Sequence, residues 1–242
     1  MFLCCDTQLG TEVIESAERG VPSSELEQAE PKQEVPVEEV PVENPTGILS
    51  GKKEPFVLTL DLTSGAVLDV DLDTSDQGVL LVSSLEGGGA IEKWNSSCTD
   101  SQSKVQVLDR VVAVNGETGV AKELAAKLKP GFKYELTVQH AVLLEVSIAE
   151  VNKPIGLELN KPIAEVNKPN MPNGKGLAIK TVSATGHVKE WNETAPADSQ
   201  VMATCRVIRV NTKDAMAGEE PAALLKELKE AKALQMLVAS WA

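Results

Sequence analysis

Two thiols stand side by side near the start of the chain, Cys4-Cys5, next to Phe2-Leu3. Adjacent thiols beside apolar residues at a terminus are the pattern of S-acylation sites, and two acyl chains suffice for stable anchoring where one does not. Phe2 stands where a myristoylated chain needs Gly. Cys98 and Cys205 are far apart, and the only histidines are His140 and His187, so no zinc-binding spacing can be assembled and no metal or other cofactor is expected. Cys98 reads as a loop thiol and Cys205 as a small buried hydrophobe. Neither histidine has a Ser or Cys nucleophile placed by a recognisable motif. Gly87-Gly88-Gly89 lacks the Lys-Ser/Thr of a phosphate loop. These absences point away from an enzyme.

Charge and composition narrow the class. The 242 residues carry 36 acidic and 23 basic side chains, a net charge of −13, which argues against nucleic acid. No run of about 18 apolar residues is present to span a bilayer, and the chain starts without a secretory signal, so a reducing, cytoplasmic setting is expected. Acylation of Cys4 and Cys5 would place the chain peripherally at the cytoplasmic face of a membrane. Residues 1–54 hold 12 acidic and 4 basic side chains. The Val-Pro and Glu repeats of Glu34–Pro45 remove backbone donors and repel one another. Residues 1–54 therefore read as a disordered acidic tether, extended from residue 7 to about 52, with no more than a partnerless helical turn over Thr11–Arg19.

Downstream of the tether the chain repeats itself. Ala90-Ile91-Glu92-Lys93-Trp94-Asn95 is echoed by His187-Val188-Lys189-Glu190-Trp191-Asn192, Asp100-Ser101-Gln102 by Asp198-Ser199-Gln200, and Arg110–Asn115 by Arg206–Asn211, with offsets between 96 and 98. Two of the three tryptophans thus hold equivalent places, as anchors from a helix to a core.

Each copy needs the same elements to position these motifs. With aromatics at 3%, Val, Leu and Ile must build the cores, which favours strands. In the first copy, strands are expected at Phe56–Leu62, Leu68–Leu72, Gly78–Leu85, Val105–Val107, Arg110–Val114 and Lys133–Gln139. A short helix is expected at Ala90–Trp94 and a longer one at Ala121–Lys129. The second copy places strands at Leu143–Ala149, Gly156–Leu159, Gly176–Val182, Arg206–Val210 and Leu234–Ala239, and a helix at Glu220–Ala231 with Pro221 near its start. The expected class is α+β and β-rich. The insertion Lys161–Lys175 repeats the Ala-Glu-Val-Asn-Lys-Pro of Ala149–Pro154 and reads as a slip duplication.

Asp109-Arg110-Val111-Val112-Ala113-Val114-Asn115-Gly116, set between a short and a longer helix, resembles the Gly-Asp-x-Ile-x-x-Val-Asn-Gly signature of PDZ domains. The second copy departs from it at Cys205 and Thr212, and both copies lack the leading Gly. The resemblance covers about residues 55–242 and implies two consecutive PDZ-like, partly open barrels or sandwiches, 55–140 and 141–242, each capped by one short and one longer helix. It further implies binding of an extended or C-terminal peptide as an added strand between the second strand and the longer helix, with the terminal carboxylate on amides of a Φ-Gly-Φ loop. Lys153-Pro154-Ile155-Gly156-Leu157 resembles that loop, with Lys153 adding positive potential. Asp69, Asp71 and Asp73 along the corresponding strand of the first copy would repel a carboxylate. The second copy is therefore the expected site, formed by Lys153, Ile155, Gly156, Leu157, Leu159, Pro221 and Leu225. The helix-start positions Ala121 and Pro221 donate no side-chain hydrogen bond, which favours hydrophobic C-termini. The same side chains would also serve as ordinary core.

The expected role is an adaptor or scaffold that gathers protein partners, tethered through Cys4 and Cys5. The alternatives are a regulatory or substrate-recognition partner of an enzyme such as a protease, and a rigid structural subunit of a larger assembly. Ser240-Trp241-Ala242 has the look of a PDZ ligand but follows the last strand too closely to reach another groove. The connection around Gln139–Leu143 is so short that a fixed mutual orientation of the copies is expected.

Overall fold

A computed structural model describes residues 11–13, 54–76, 78–160 and 175–241. Cys4, Cys5, the rest of the acidic segment and all of the insertion except Lys175 lie outside these residues. Apolar and polar side chains alternate along the sequence, and the strands sort them onto two faces. Phe56–Asp61 (β2) buries Leu58 and Leu60, and Lys133–Gln139 (β6) buries Tyr134, Leu136 and Val138. Val142–Ile148 (β7) buries Val142, Leu144, Val146 and Ile148 in the same way.

Two antiparallel sheets result. The five-stranded one runs in the order β2-β6-β5-β4-β3, where β3 is Val70–Asp73, β4 is Leu80–Leu85 and β5 is Arg110–Val114. It carries two helices, Ala90–Ser97 (α1) and Ala121–Lys127 (α2). The second sheet has seven strands. Its main path runs Thr11–Val13 (β1), Leu157–Asn160 (β8), Leu177–Val182 (β9), Arg206–Val210 (β10), Leu234–Ser240 (β12) and β7, with Lys213–Asp214 (β11) on β10. Its helices are His187–Thr194 (α3) and Pro221–Glu230 (α4). The class is β-rich α+β.

The repeated motifs do matching backbone work in both sheets. Asn115 and Asn211 both adopt left-handed backbone (φ 53° and 51°), and their side chains accept from the N–H groups of Glu135 and Gln235 at 2.8 and 2.9 Å. Asn95 and Asn192 clamp Val105 and Val201 alike, each accepting the N–H at 2.8 Å and donating to the carbonyl. That clamp explains why Val105–Val107 is not the strand its composition suggests: the Asn95 amide and the Asp109 carboxylate, which takes the Gln106 N–H at 2.7 Å, hold groups that a ladder would need. The expected difference in helix length also fails in the first sheet. Helix α1 has eight residues and α2 only seven, because the chain leaves the helix at Leu128, ahead of Pro130-Gly131.

One core lies beside each sheet. Leu58, Leu80, Val111, Leu124 and Leu136 centre the first, and Leu144, Leu157, Ile179, Val207 and Leu224 the second. Trp94 and Trp191 pack against them from α1 and α3. A third apolar cluster joins the sheets, with Val79, Leu81 and Leu108 meeting Ile208, Leu237, Ala239 and Trp241. The Trp241 indole N–H donates to the Leu108 carbonyl at 3.1 Å, so this near-terminal tryptophan is locked in place. Asp73 and Arg206, both buried, pair across the same junction, and Arg206 also donates to the Lys175 carbonyl at 3.2 Å. Only His140 and Ala141 separate β6 from β7.

Candidate strand-accepting grooves

Equivalent loops precede β3 and β8. The Val67 and Pro154 carbonyls accept from the N–H groups of Ala90 and His187, and the Asp69 and Gly156 carbonyls from those of Glu86 and Ser183. Asp69 and Gly156 therefore hold the same place, and both have positive φ, 59° and 84°. A side chain is admitted at only one of them. A Cβ on Gly156 would stand 2.5 Å from the Thr185 carbonyl oxygen, and one on Gly186, the residue before α3, would stand 2.6 Å from the Pro154 carbonyl oxygen. In the first loop Asp69 turns its carboxylate onto the start of α1, accepting from the N–H groups of Ile91 at 2.8 Å and Glu92 at 3.2 Å. It supplies the cap that Gly89, the residue before the helix, cannot.

The other two carboxylates expected to repel a ligand are also engaged. Asp71 accepts from the Ser84 hydroxyl at 2.6 Å, and Asp73 is paired with Arg206. Burial pushes the Asp73 carboxyl up, but the Arg206 guanidinium and the Ser75 hydrogen bonds together outweigh it and hold the group below the usual carboxylate range. What remains beside β3 is apolar. Half-buried Leu68, Val70, Leu72 and Leu128 line a hollow of about 10 Å³ whose floor includes Val82, Ile91 and Val138. That is room for one water-sized sphere, so a guest side chain must widen it. Strand β3 is the last strand of its sheet among the described residues.

The second groove differs where the sequence expects it to serve. Ile155, Leu157 and Leu159 are buried at 1–2% exposure and belong to the core, together with Leu224 and Leu228 of α4. Pro221 is buried at the first position of α4, and Leu225 is half-buried against the same core. Lys153 is paired with Glu190 at the surface, which reduces the positive potential it offers the loop. That hydrogen bond, with the positive charge behind it, lowers the Glu190 carboxyl. The edge of β8 is itself covered, because Thr11, Glu12 and Val13 stand opposite Asn160, Leu159 and Glu158 in antiparallel register. Thr11–Val13 is thus a strand rather than a helical turn, and it has a partner. Its β-branched residues suit the pleat.

Sequence reading also missed a difference beside the signature residues. Asp109 in the first copy meets buried His140, whose Nδ1 lies 2.7 Å from Asp109 Oδ1 and whose Nε2 lies 2.8 Å from the Gln102 carbonyl oxygen. In the second copy Cys205 and Ser240 stand at the matching positions, and burial pushes the Cys205 thiol up. Among the described residues no group of His, Cys, Asp and Glu could hold a metal ion, and no helix is long and apolar enough to cross a membrane.

No family model matches the chain, and no curated protein matches it. Among solved structures, INAD PDZ45 in complex with NG2 peptide is similar at 13% identity, covering 82% of this chain and 95% of that one, with a TM-score of 0.33. INAD PDZ45 with NORPA CC-PBM is similar at 14% identity, covering 81% and 95%, with a TM-score of 0.32. Likeness at such TM-scores decides nothing about the grooves, which stand on their own geometry.

Proposed function

We propose that the chain is a non-enzymatic adaptor built from two PDZ-like units, 55–140 and 141–242, and that its first groove takes extended or C-terminal segments of partner proteins. The observation that carries this reading is the pairing of β3, the last strand of its sheet among the described residues, with an all-apolar hollow between it and Leu128, the residue that follows α2. A terminal strand offers its outer backbone groups to a guest, and the hollow selects an apolar side chain. With Asp69 ahead of it turned to α1, and its own Asp71 and Asp73 to Ser84 and Arg206, β3 keeps Val70 and Leu72 for that contact. Acylation of Cys4 and Cys5 would bring this adaptor to a membrane.

Hydrogen exchange of the full chain, with octapeptides ending in Val, Ile, Leu or Phe, tests the reading. Saturable protection of Val70–Asp73 is expected, and Leu128→Asp should weaken it at least about tenfold by placing a charge at the mouth of the hollow. If no peptide protects β3, the groove is not a binding site. Retention of the chain as a stoichiometric component of a purified complex, with β3 protected there by a fixed neighbour, would favour a structural subunit instead.

A further inference from the structure

We infer that β8 is a second strand-accepting edge and that the chain's own N-terminal strand is its resident occupant, which a partner segment must displace. Strands β3 and β8 follow equivalent loops, yet among the described residues β3 ends its sheet while β8 lies between β1 and β9. The occupant is antiparallel, and Val13, opposite Glu158, is two residues along the strand from Gly156. It therefore heads toward the loop, the direction in which an incoming segment would run.

Two features make this occupancy exchangeable. Among the described residues three residue pairs join β1 to β8, and each backbone hydrogen bond contributes roughly 0.5–1.5 kcal/mol net. Covalent connection supplies the rest: 42 residues lie between Val13 and Phe56, and linked segments compete at effective concentrations that reach the millimolar range when the link is short. The guest chemistry also differs from that at β3. A partner carboxylate at the loop would compete with Glu190 for Lys153, whereas the resident strand is an internal segment that needs no such charge. The matching partner is an extended internal segment rich in β-branched residues. This inference extends strand addition to another edge and does not require β3 to bind anything.

The test uses the full chain and the full chain carrying Thr11→Pro/Glu12→Pro/Val13→Pro, which removes every backbone donor of the resident strand. The probe is a fluorescein-labelled synthetic peptide with the sequence of residues 7–17, titrated by anisotropy, with exchange at Leu157–Asn160 followed in parallel. The variant should bind the probe at least about fivefold more tightly than the unaltered chain. Its Leu157–Asn160 amides should exchange faster and regain protection at saturating probe. Equal affinity in the two proteins, or exchange at Leu157–Asn160 untouched by the prolines, overturns the inference. Protection by the probe at Val70–Asp73 alone does so as well. Concentration-dependent dimerisation lost in the variant would assign the strand to a second copy and overturn the intramolecular occupant. Loss of peptide binding at β3 would leave every one of these readouts in place.

Discussion

Two grooves built on one plan have gone different ways. At the first, a left-handed aspartate caps a helix, the strand's charged side chains are engaged elsewhere, and no described strand pairs with the outer rim. At the second, a glycine is forced by the Thr185 carbonyl, the lining side chains have sunk into the core, and a strand from the far end of the sequence covers the rim. The difference teaches that acidic residues along a groove strand do not by themselves forbid a ligand. Alternation sends them to the opposite face, where Ser84 and Arg206 take them up. Apolar residues along the other strand do not by themselves offer a site.

The comparison breaks most sharply at the Asp73–Arg206 pair, which fixes the end of β3 against the second sheet. Removing one partner leaves a buried uncompensated charge, so Arg206→Leu should destabilise the chain by about 3–5 kcal/mol in urea denaturation. Asp73→Leu/Arg206→Met together should recover most of that loss. Next comes the exchange of loop residues. Gly156→Asp meets the Thr185 carbonyl oxygen 2.5 Å from its Cβ and should cost roughly 2–4 kcal/mol. Asp69→Gly loses only the cap on α1 and relaxes a left-handed residue, so about 1 kcal/mol is expected.

Acid offers a milder lever on the same pair. The Asp73 carboxyl sits below its ordinary value, so the stability it contributes is present above that value and is lost as pH falls through its lower folded one. A urea midpoint that drops steeply only in that acidic range, and less so in the double apolar variant, would sharpen the point. The smallest effect concerns Cys205. Burial keeps its thiol protonated, so maleimide should label it more slowly than Cys98 in the native protein, and at equal rates after unfolding.

The repeated motifs were legible because they contain residues with special backbone duties. Asn115 and Asn211 hold left-handed turns, and Asn95 and Asn192 clamp a passing strand, so each recurs at nearly constant spacing. The strand positions followed from alternation. The occupant of β8 was not legible, since three residues ahead of a Pro/Glu-rich stretch show no period and no partner. Nor was the Asp73–Arg206 pair, which joins residues 133 positions apart. Asp69 read as a repelling charge because helix capping from a distant loop leaves no local spacing to detect.

The pairing of β1 with β8 shortens a distance that the sequence suggested was long. Five residues separate Cys5 from Thr11, a reach of about 20 Å at full extension. Acyl groups on Cys4 and Cys5 would then moor the seven-stranded sheet close against the lipid headgroups, on a short leash rather than at the end of some fifty residues. Displacing that strand would pay the line out and let both sheets swing away from the bilayer.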